Sequence, residues 1–207
     1  MRGRRWRARA LGLATALTLG GCVGLHRGEP ATWFDAVDAV APRDGGRVVV
    51  CHGFGCRRKT AVVFTSRDVA TMRGIVGAAS SASAERAGIR RLVAWAERRV
   101  APEVGSTRDV GGLDLWNAGE RGQMDCIDEA TNTTSYLLVA ERAGLLRHHR
   151  VGRPVSRGYF LDGRYPHATA VVVAGDAAWA VDSWPHANGV PPDVLPLPVW
   201  SARGPMR

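Results

Sequence analysis

The pattern of apolar and polar positions along this chain predicts a protein that mixes helices with strands. Apolar residues recur at helical spacing in four segments, whereas shorter apolar runs bounded by turn residues are typical of strands. The predicted helices cover residues 32–40, 65–78, 83–100 and 126–143, and the predicted strands cover residues 47–51, 60–65, 147–151, 167–173 and 177–182. Helices come first and one helix precedes a run of strands, an order that predicts the α+β class.

Polar residues at the segment boundaries indicate where two of these helices start. Thr65 and Asp68 have the spacing of a capping box. Asp125 is a suitable N-cap, which places Cys126 at the first helical position. The chain from Pro185 onward is rich in proline, and we expect it to run as an extended tail. The residues that would dock this tail are Leu195, Val199 and Trp200.

The N-terminus has the pattern of a targeting segment. Five arginines precede an apolar stretch over residues 10–19, which is too short to span a bilayer. The stretch ends in Leu19-Gly20-Gly21-Cys22, which resembles the bacterial lipobox. We therefore predict a lipoprotein signal peptide over residues 1–21, a lipidated Cys22 and a tether over residues 22–31. The alternative is an ordinary secretory peptide with a chance cysteine.

Charge and length limit the function classes. The chain carries a net charge of +9 over 207 residues, and removal of the five signal arginines lowers this to about +4. No clustered basic patch indicates nucleic acid as a partner. Residues 32–207 are enough for one domain with a hydrophobic core and short for two.

The cysteines divide into a pair and a single thiol. Cys51 and Cys56 bracket a glycine-containing turn between two predicted strands, and outside the cytoplasm such a pair tends to oxidise. We expect a disulfide between them. Cys126 is then the odd thiol, a candidate nucleophile. The alternative is a buried, inert thiol.

A base and an orienting carboxylate for Cys126 lie on neighbouring predicted strands. His167 starts one apolar strand and Asp182 ends the next, and a turn at residues 174–177 would make the pair an antiparallel hairpin with the two side chains opposite each other. The helix start favours a thiolate at Cys126, and we expect it to react below its ordinary pKa of about 8.5. The acidic residues beside it oppose this effect. The alternative is a hairpin that carries histidine and aspartate by chance.

These stretches resemble the transglutaminase-like superfamily, and in particular its bacterial cysteine proteinase branch. The resemblance runs from about Trp116 to Trp184 and rests on cysteine at a helix start, His167-Ala168 on a strand and Trp179-x-Val181-Asp182 on the next. It implies a papain-like α+β fold, in which the cysteine helix packs on an antiparallel sheet. It also implies that Cys126 is the nucleophile, His167 the base and Asp182 the orienting group, in acyl chemistry on amide bonds without metal or cofactor.

Other candidate residues carry weaker signals. Gln123, just before Cys126, is a candidate oxyanion donor, and the alternative is a solvated loop residue. The adjacent His148 and His149 point to opposite faces of a strand, so we expect no metal site there.

The sequence thus predicts a cell-envelope thiol enzyme, lipid-anchored to a bacterial membrane and facing away from the cytoplasm. Its partners would be a peptide or protein substrate and, through the anchor, the membrane. Hydrolysis is slightly favoured over amine transfer by the family resemblance alone. The alternative is a non-catalytic envelope lipoprotein that binds proteins or peptides on the same fold. The sequence leaves the oligomeric state open.

Overall fold

The computed structural model describes residue 26 and residues 28–112, 115–158 and 166–203. The helices are α1 (Ala31–Ala36), α2 (Ser66–Val76), α3 (Ala82–Val104), α4 (Cys126–Arg142) and α5 (Leu197–Ala202). The strands are β1 (Arg47–His52), β2 (Arg58–Val63), β3 (Arg150–Arg157), β4 (His167–Ala174), β5 (Ala177–Asp182) and β6 (Asp193–Pro196). The predicted α+β class is confirmed. Within the described ranges, no helix is long and apolar enough to cross a membrane.

Two antiparallel sheets carry the strands. β1 and β2 form a hairpin, and β3, β4, β5 and β6 form a four-stranded meander in chain order. Alternate residues of β4 face opposite ways: Ala170 and Val172 join the core around α4, whereas Val171 and Val173 join a smaller core with α5. Both faces of β4 are therefore covered, which explains why its sequence is continuously apolar instead of alternating.

Helix α4 forms the centre of the molecule although its middle is made of poor helix formers. Residues 128–140 are all buried. Two of its small polar side chains are held by partners distant in sequence: Thr131 accepts from the Trp33 indole at 2.9 Å, and Asn132 bonds both the amide and the carbonyl of Cys51. Tertiary hydrogen bonds of this kind outweigh the weak helix propensity of the segment.

Both predicted helix starts are confirmed. Thr65 and Asp68 form a complete capping box in front of α2. Asp125 and Asp128 form a second one in front of α4, so Cys126 is its first residue.

Several predicted segments differ from the structure. The first helix ends at Ala36 and not at residue 40, and the third helix ends at Val104 and not at residue 100. The third strand starts at Arg150 and not at residue 147, because the amides of Arg147, His148 and His149 donate to the buried carboxylate of Glu85. The extended-tail prediction is also wrong in part, since residues 193–202 form β6 and α5. Trp200 docks this segment as expected, but Val199 is exposed.

The predicted signal peptide, Cys22 and half of the tether lie outside the described residues.

Candidate active site

The candidate nucleophile lies at the N-terminus of α4. Asp125 Oδ1 caps this helix by accepting hydrogen bonds from the amides of Ile127 and Asp128 at 3.1 and 2.9 Å. Cys126 is 8% exposed. Its thiol donates to the carbonyl oxygen of Pro166, with 3.9 Å between Sγ and oxygen, and the sulfur accepts the Ala168 amide. The sulfur therefore lies against the two residues that flank His167 in the sequence.

His167 and Asp182 form a buried hydrogen-bonded pair. The distance from His167 Nε2 to Asp182 Oδ2 is 2.7 Å, and the Trp200 indole donates to the same oxygen at 2.7 Å. His167 Nδ1 has no hydrogen-bond partner among the described residues. Asp182 thus holds the imidazole by one nitrogen and leaves the other available to take a proton.

The hairpin that carries this pair has a different register from the predicted one. Ala174 lies opposite Ala177 and Ala170 lies opposite Val181. Continuing this register puts Asp182 opposite Thr169, two residues from His167. The prediction of direct opposition is therefore wrong, because β4 extends two residues farther from the turn than β5 does. The two side chains are diagonal neighbours on one face, a separation that a histidine side chain bridges.

Three tryptophans surround the site. The His167 ring lies 4.7 Å from the ring of Trp184 and 5.4 Å from that of Trp200, between centroids. Trp33 and Trp184 pack in one apolar cluster with Cys126. Sequence analysis missed Trp33, and it placed Trp200 only as a docking residue. Nothing local in the sequence relates either residue to the site, because both reach it from the ends of the domain.

Burial dominates the electrostatics of the thiol. Burial is the largest cause that raises the pKa of Cys126 to about 12; the Ala168 amide opposes it, and the carboxylates of Asp125 and Asp182 add to it. The expected depression of this pKa by the helix start is therefore not found in the structure. Among the described residues of the site, His167 Nδ1 and Asp182 Oδ1 are buried acceptors without a hydrogen-bond partner.

Two buried carboxyl groups lie beneath the site. Ser183 Oγ donates to Glu129 Oε2 at 2.7 Å and accepts from Thr133 at 3.1 Å. Burial, together with the Asp182 and Asp125 charges, raises the pKa of Glu129 to about 7 against the Ser183 hydrogen bond. Burial and Glu129 in turn raise the pKa of Glu97 on α3. Sequence analysis missed Ser183 and Glu97, which have no distinguishing local pattern.

The structure anchors the Gln123 side chain away from the thiol's helix. Its Nε2 donates to the Arg108 carbonyl at 3.0 Å, and its Oε1 accepts from the Val110 amide at 3.1 Å. Both ends of the amide thus bind the preceding loop. An oxyanion role would require Nε2 to use its second hydrogen or leave this loop.

The predicted disulfide is present, and it joins Cys51 to Cys56. Cys51, Cys56 and Asp128 are the one group of close metal-ligand atoms in the described ranges, lying within 4.8 Å of one another. The two sulfurs are bonded to each other, so they are not free thiolates for a metal.

Burial and the Asp125 charge raise the pKa of Asp128 to about 8, against the amides of Cys56, Asp125 and Phe54.

Comparisons with known proteins assign the chain to no family. No protein-family model matches it. No curated protein and no solved structure matches it either. The resemblance to the transglutaminase-like superfamily therefore rests on the residues of the site and on the helix and strands that carry them.

Proposed function

We propose that this protein is a thiol enzyme with a papain-like, transglutaminase-like fold that acts on peptide or isopeptide amide bonds. One observation carries the proposal. His167 is held by Asp182 through Nε2, its Nδ1 is unpartnered among the described residues, and the Cys126 sulfur lies against the residues on either side of it. A nucleophile, a base and an orienting group are the parts that thiol acyl transfer needs.

The reaction proceeds through a thioester. His167 Nδ1 takes the proton of the Cys126 thiol as sulfur attacks the amide carbonyl, and the imidazolium then gives this proton to the departing amine. Water, deprotonated by His167, attacks the thioester, releases the acid and restores the thiol. An amine in place of water gives a new amide, so the acceptor decides between hydrolysis and transfer. We favour hydrolysis.

The site's immediate backbone offers a donor for the oxyanion. The Cys126 amide is at the first helical position, where it lies beside its own sulfur, and Asp125 takes the next two amides. Helix N-terminal amides are well placed to stabilise a developing negative charge beside the sulfur.

We place the enzyme on the outer side of a bacterial membrane, anchored by an acylated Cys22. The Cys51–Cys56 disulfide supports an oxidising compartment. The substrates of such an enzyme are peptides or proteins of the envelope, and nucleic acid is not a partner.

One observation favours the second candidate, a non-catalytic binding module. The thiol bonds Pro166 and not the imidazole, and burial raises the pKa of Cys126 to about 12. In unliganded enzymes, however, catalytic hydrogen bonds are often loose and tighten only with substrate.

A thiol-directed activity probe distinguishes the two functions. We expect rapid labelling of the folded wild-type protein, none of Cys126→Ala and slow labelling of His167→Ala. The matched control is His148→Ala, an exposed histidine outside the site, which should be labelled like the wild type. Labelling that is slow and equal in the wild type and His167→Ala would support the binding module.

A further inference from the structure

Four consecutive residues between β1 and β2 have left-handed backbone conformations. The φ angles are 80° at Gly53, 68° at Phe54, 63° at Gly55 and 58° at Cys56. Glycine adopts such angles readily, whereas phenylalanine and cysteine do so only where the surroundings determine them. The Cys51–Cys56 disulfide closes the segment. We call residues 51–56 the brace.

The amides of the brace converge on the acidic residues beside the nucleophile. Phe54 donates to Asp128 Oδ2 at 2.8 Å and Cys56 donates to Asp128 Oδ1 at 2.6 Å. Gly55 donates to Asp125 Oδ2 at 3.0 Å. Successive amides that point into one concavity form an anion-binding nest. Here the bound anions are side chains on the first turn of α4.

These hydrogen bonds exceed what capping requires. Asp125 alone satisfies two free amides of the helix. A capping box requires only that Asp128 accept the Asp125 amide, and this hydrogen bond is 3.3 Å long. Asp128 is fully buried, and both of its oxygens also bind the brace. One turn farther on, Asn132 binds the amide and carbonyl of Cys51 at 2.7 and 2.8 Å. The brace thus holds two successive turns of α4.

We propose that Asp128 is a positioning residue for Cys126 and that it acts through the disulfide-closed brace. The inference rests on the proposed thiol chemistry. Cys126 lies between Asp125 and Asp128, so any shift of the first turn of α4 moves the Cys126 backbone, and its sulfur with it, relative to His167. Small displacements of reacting groups have large effects on rate. The brace holds this turn from outside the helix. It therefore keeps the Cys126 sulfur at a fixed position relative to the His167 imidazole.

The pH profile of Cys126 alkylation tests the inference. Iodoacetamide labelling of the oxidised mature protein, followed at Cys126 by peptide mass spectrometry from about pH 5 to about pH 10, reports thiolate formed with the help of His167. In the wild type we expect Cys126 to be alkylated at a measurable rate near neutral pH, and we expect His167→Ala to remove this part of the rate profile, which we call the neutral-pH limb. Asp128→Asn and the double variant Cys51→Ala/Cys56→Ala should lose this limb, with the rate at neutral pH falling about tenfold or more. Asp35→Asn, an exposed acid on α1, should keep it.

A milder pair of variants guards against loss of folding. Gly55→Ala adds a methyl group in open space but at a left-handed φ of 63°. Gly144→Ala, beyond the other end of α4, does the same at 67° and does not touch the brace. We expect a reduced neutral-pH limb in Gly55→Ala alone, and this pair decides the matter if Asp128→Asn does not fold.

The possible failures are distinguishable. A limb that depends on His167 but is unchanged in the brace variants overturns the positioning role and leaves the proposed function standing. A wild-type profile identical to that of His167→Ala overturns the proposed function, and the inference with it.

Discussion

At the scale of single residues, Asp182 Oδ2 accepts hydrogen bonds from both the His167 imidazole and the Trp200 indole. One carboxylate oxygen thus sets the ring orientation and is itself fixed by a neighbour from the C-terminal helix. In many enzymes a polar side chain behind the orienting carboxylate fixes its position, and here the Trp200 indole does so.

Asp182→Asn should reduce kcat strongly but leave measurable residual activity. The amide can still accept one bond through its oxygen, but it no longer stabilises an imidazolium, and the matching change in a serine protease triad lowers kcat by about 10⁴. Steady-state kinetics on a peptide amide substrate would measure the loss. Asp193→Asn on β6, half-exposed and outside the site, is the control and should change kcat little. An Asp182→Asn enzyme with wild-type kcat would remove Asp182 from the mechanism.

Glu129→Gln should flatten the dependence of stability on pH between about pH 4.5 and pH 7. Because burial raises the pKa of Glu129 to about 7 in the folded protein, folded Glu129 binds a proton that the unfolded chain has already lost in this window. Stability is therefore highest below the window and falls as pH rises through it, by about 3 kcal/mol for this group.

Urea unfolding of wild type and Glu129→Gln across the window measures this contribution. Glu103→Gln, a half-exposed acid on α3, serves as the control and should retain the wild-type slope. Parallel curves for wild type and Glu129→Gln would contradict the assignment of the titration to Glu129.

The sequence could identify the site residues that have local signals. Cys126 follows an N-cap, His167 starts an apolar strand and Asp182 ends the next, and each of these patterns is set by neighbours in the chain. Trp33 and Trp200 could not be identified in this way, because their roles depend on tertiary contacts: Trp33 binds Thr131, 98 residues away, and Trp200 reaches Asp182 from a separate helix. The thiol's pKa could not be predicted either, since burial is a property of the fold.

At the scale of elements, capping residues predicted the helix starts well, whereas apolar runs predicted the strand limits less well. The start of β3 illustrates the reason. Its sequence allows a strand from residue 147, but Glu85 on α3 reaches across and binds three successive amides there. A competing partner from a distant helix decides the boundary.

Glu85→Gln should destabilise the fold by about 2–4 kcal/mol. The glutamine offers one acceptor oxygen where the carboxylate offers two, so a buried backbone amide loses its partner together with the charge-assisted bond to His149. Chemical denaturation would measure the change. Glu103→Gln, which weakens the partly exposed pair with Arg99 on the same helix, provides a comparison, expected near 1 kcal/mol or below. Equal losses in the two variants would show that Glu85 is not a special anchor.

At the scale of the whole molecule, the sheet has a helix on each face. The α+β class followed from the order of predicted elements, and the buried character of β4 followed from its unbroken apolar run. The C-terminal strand and helix did not, because proline dominates the local pattern there while Leu197 and Trp200 are recruited by the second face of the sheet. Covering that face also brings the Trp200 indole to Asp182.

Residues Leu19-Gly20-Gly21-Cys22 predict how the whole molecule is located. Wild-type protein should partition with membranes and incorporate labelled palmitate, because two or more acyl chains on a lipidated cysteine anchor a protein stably where one does not. Cys22→Ala should abolish acylation and release the protein, whereas Cys126→Ala, the matched cysteine change within the domain, should remain acylated and membrane-bound. Palmitate labelling of Cys22→Ala at the wild-type level would show that the lipobox interpretation is wrong. Release of Cys22→Ala with its Cys126 reactivity intact would instead show that the anchor acts independently of the site and serves only to hold the domain at the membrane.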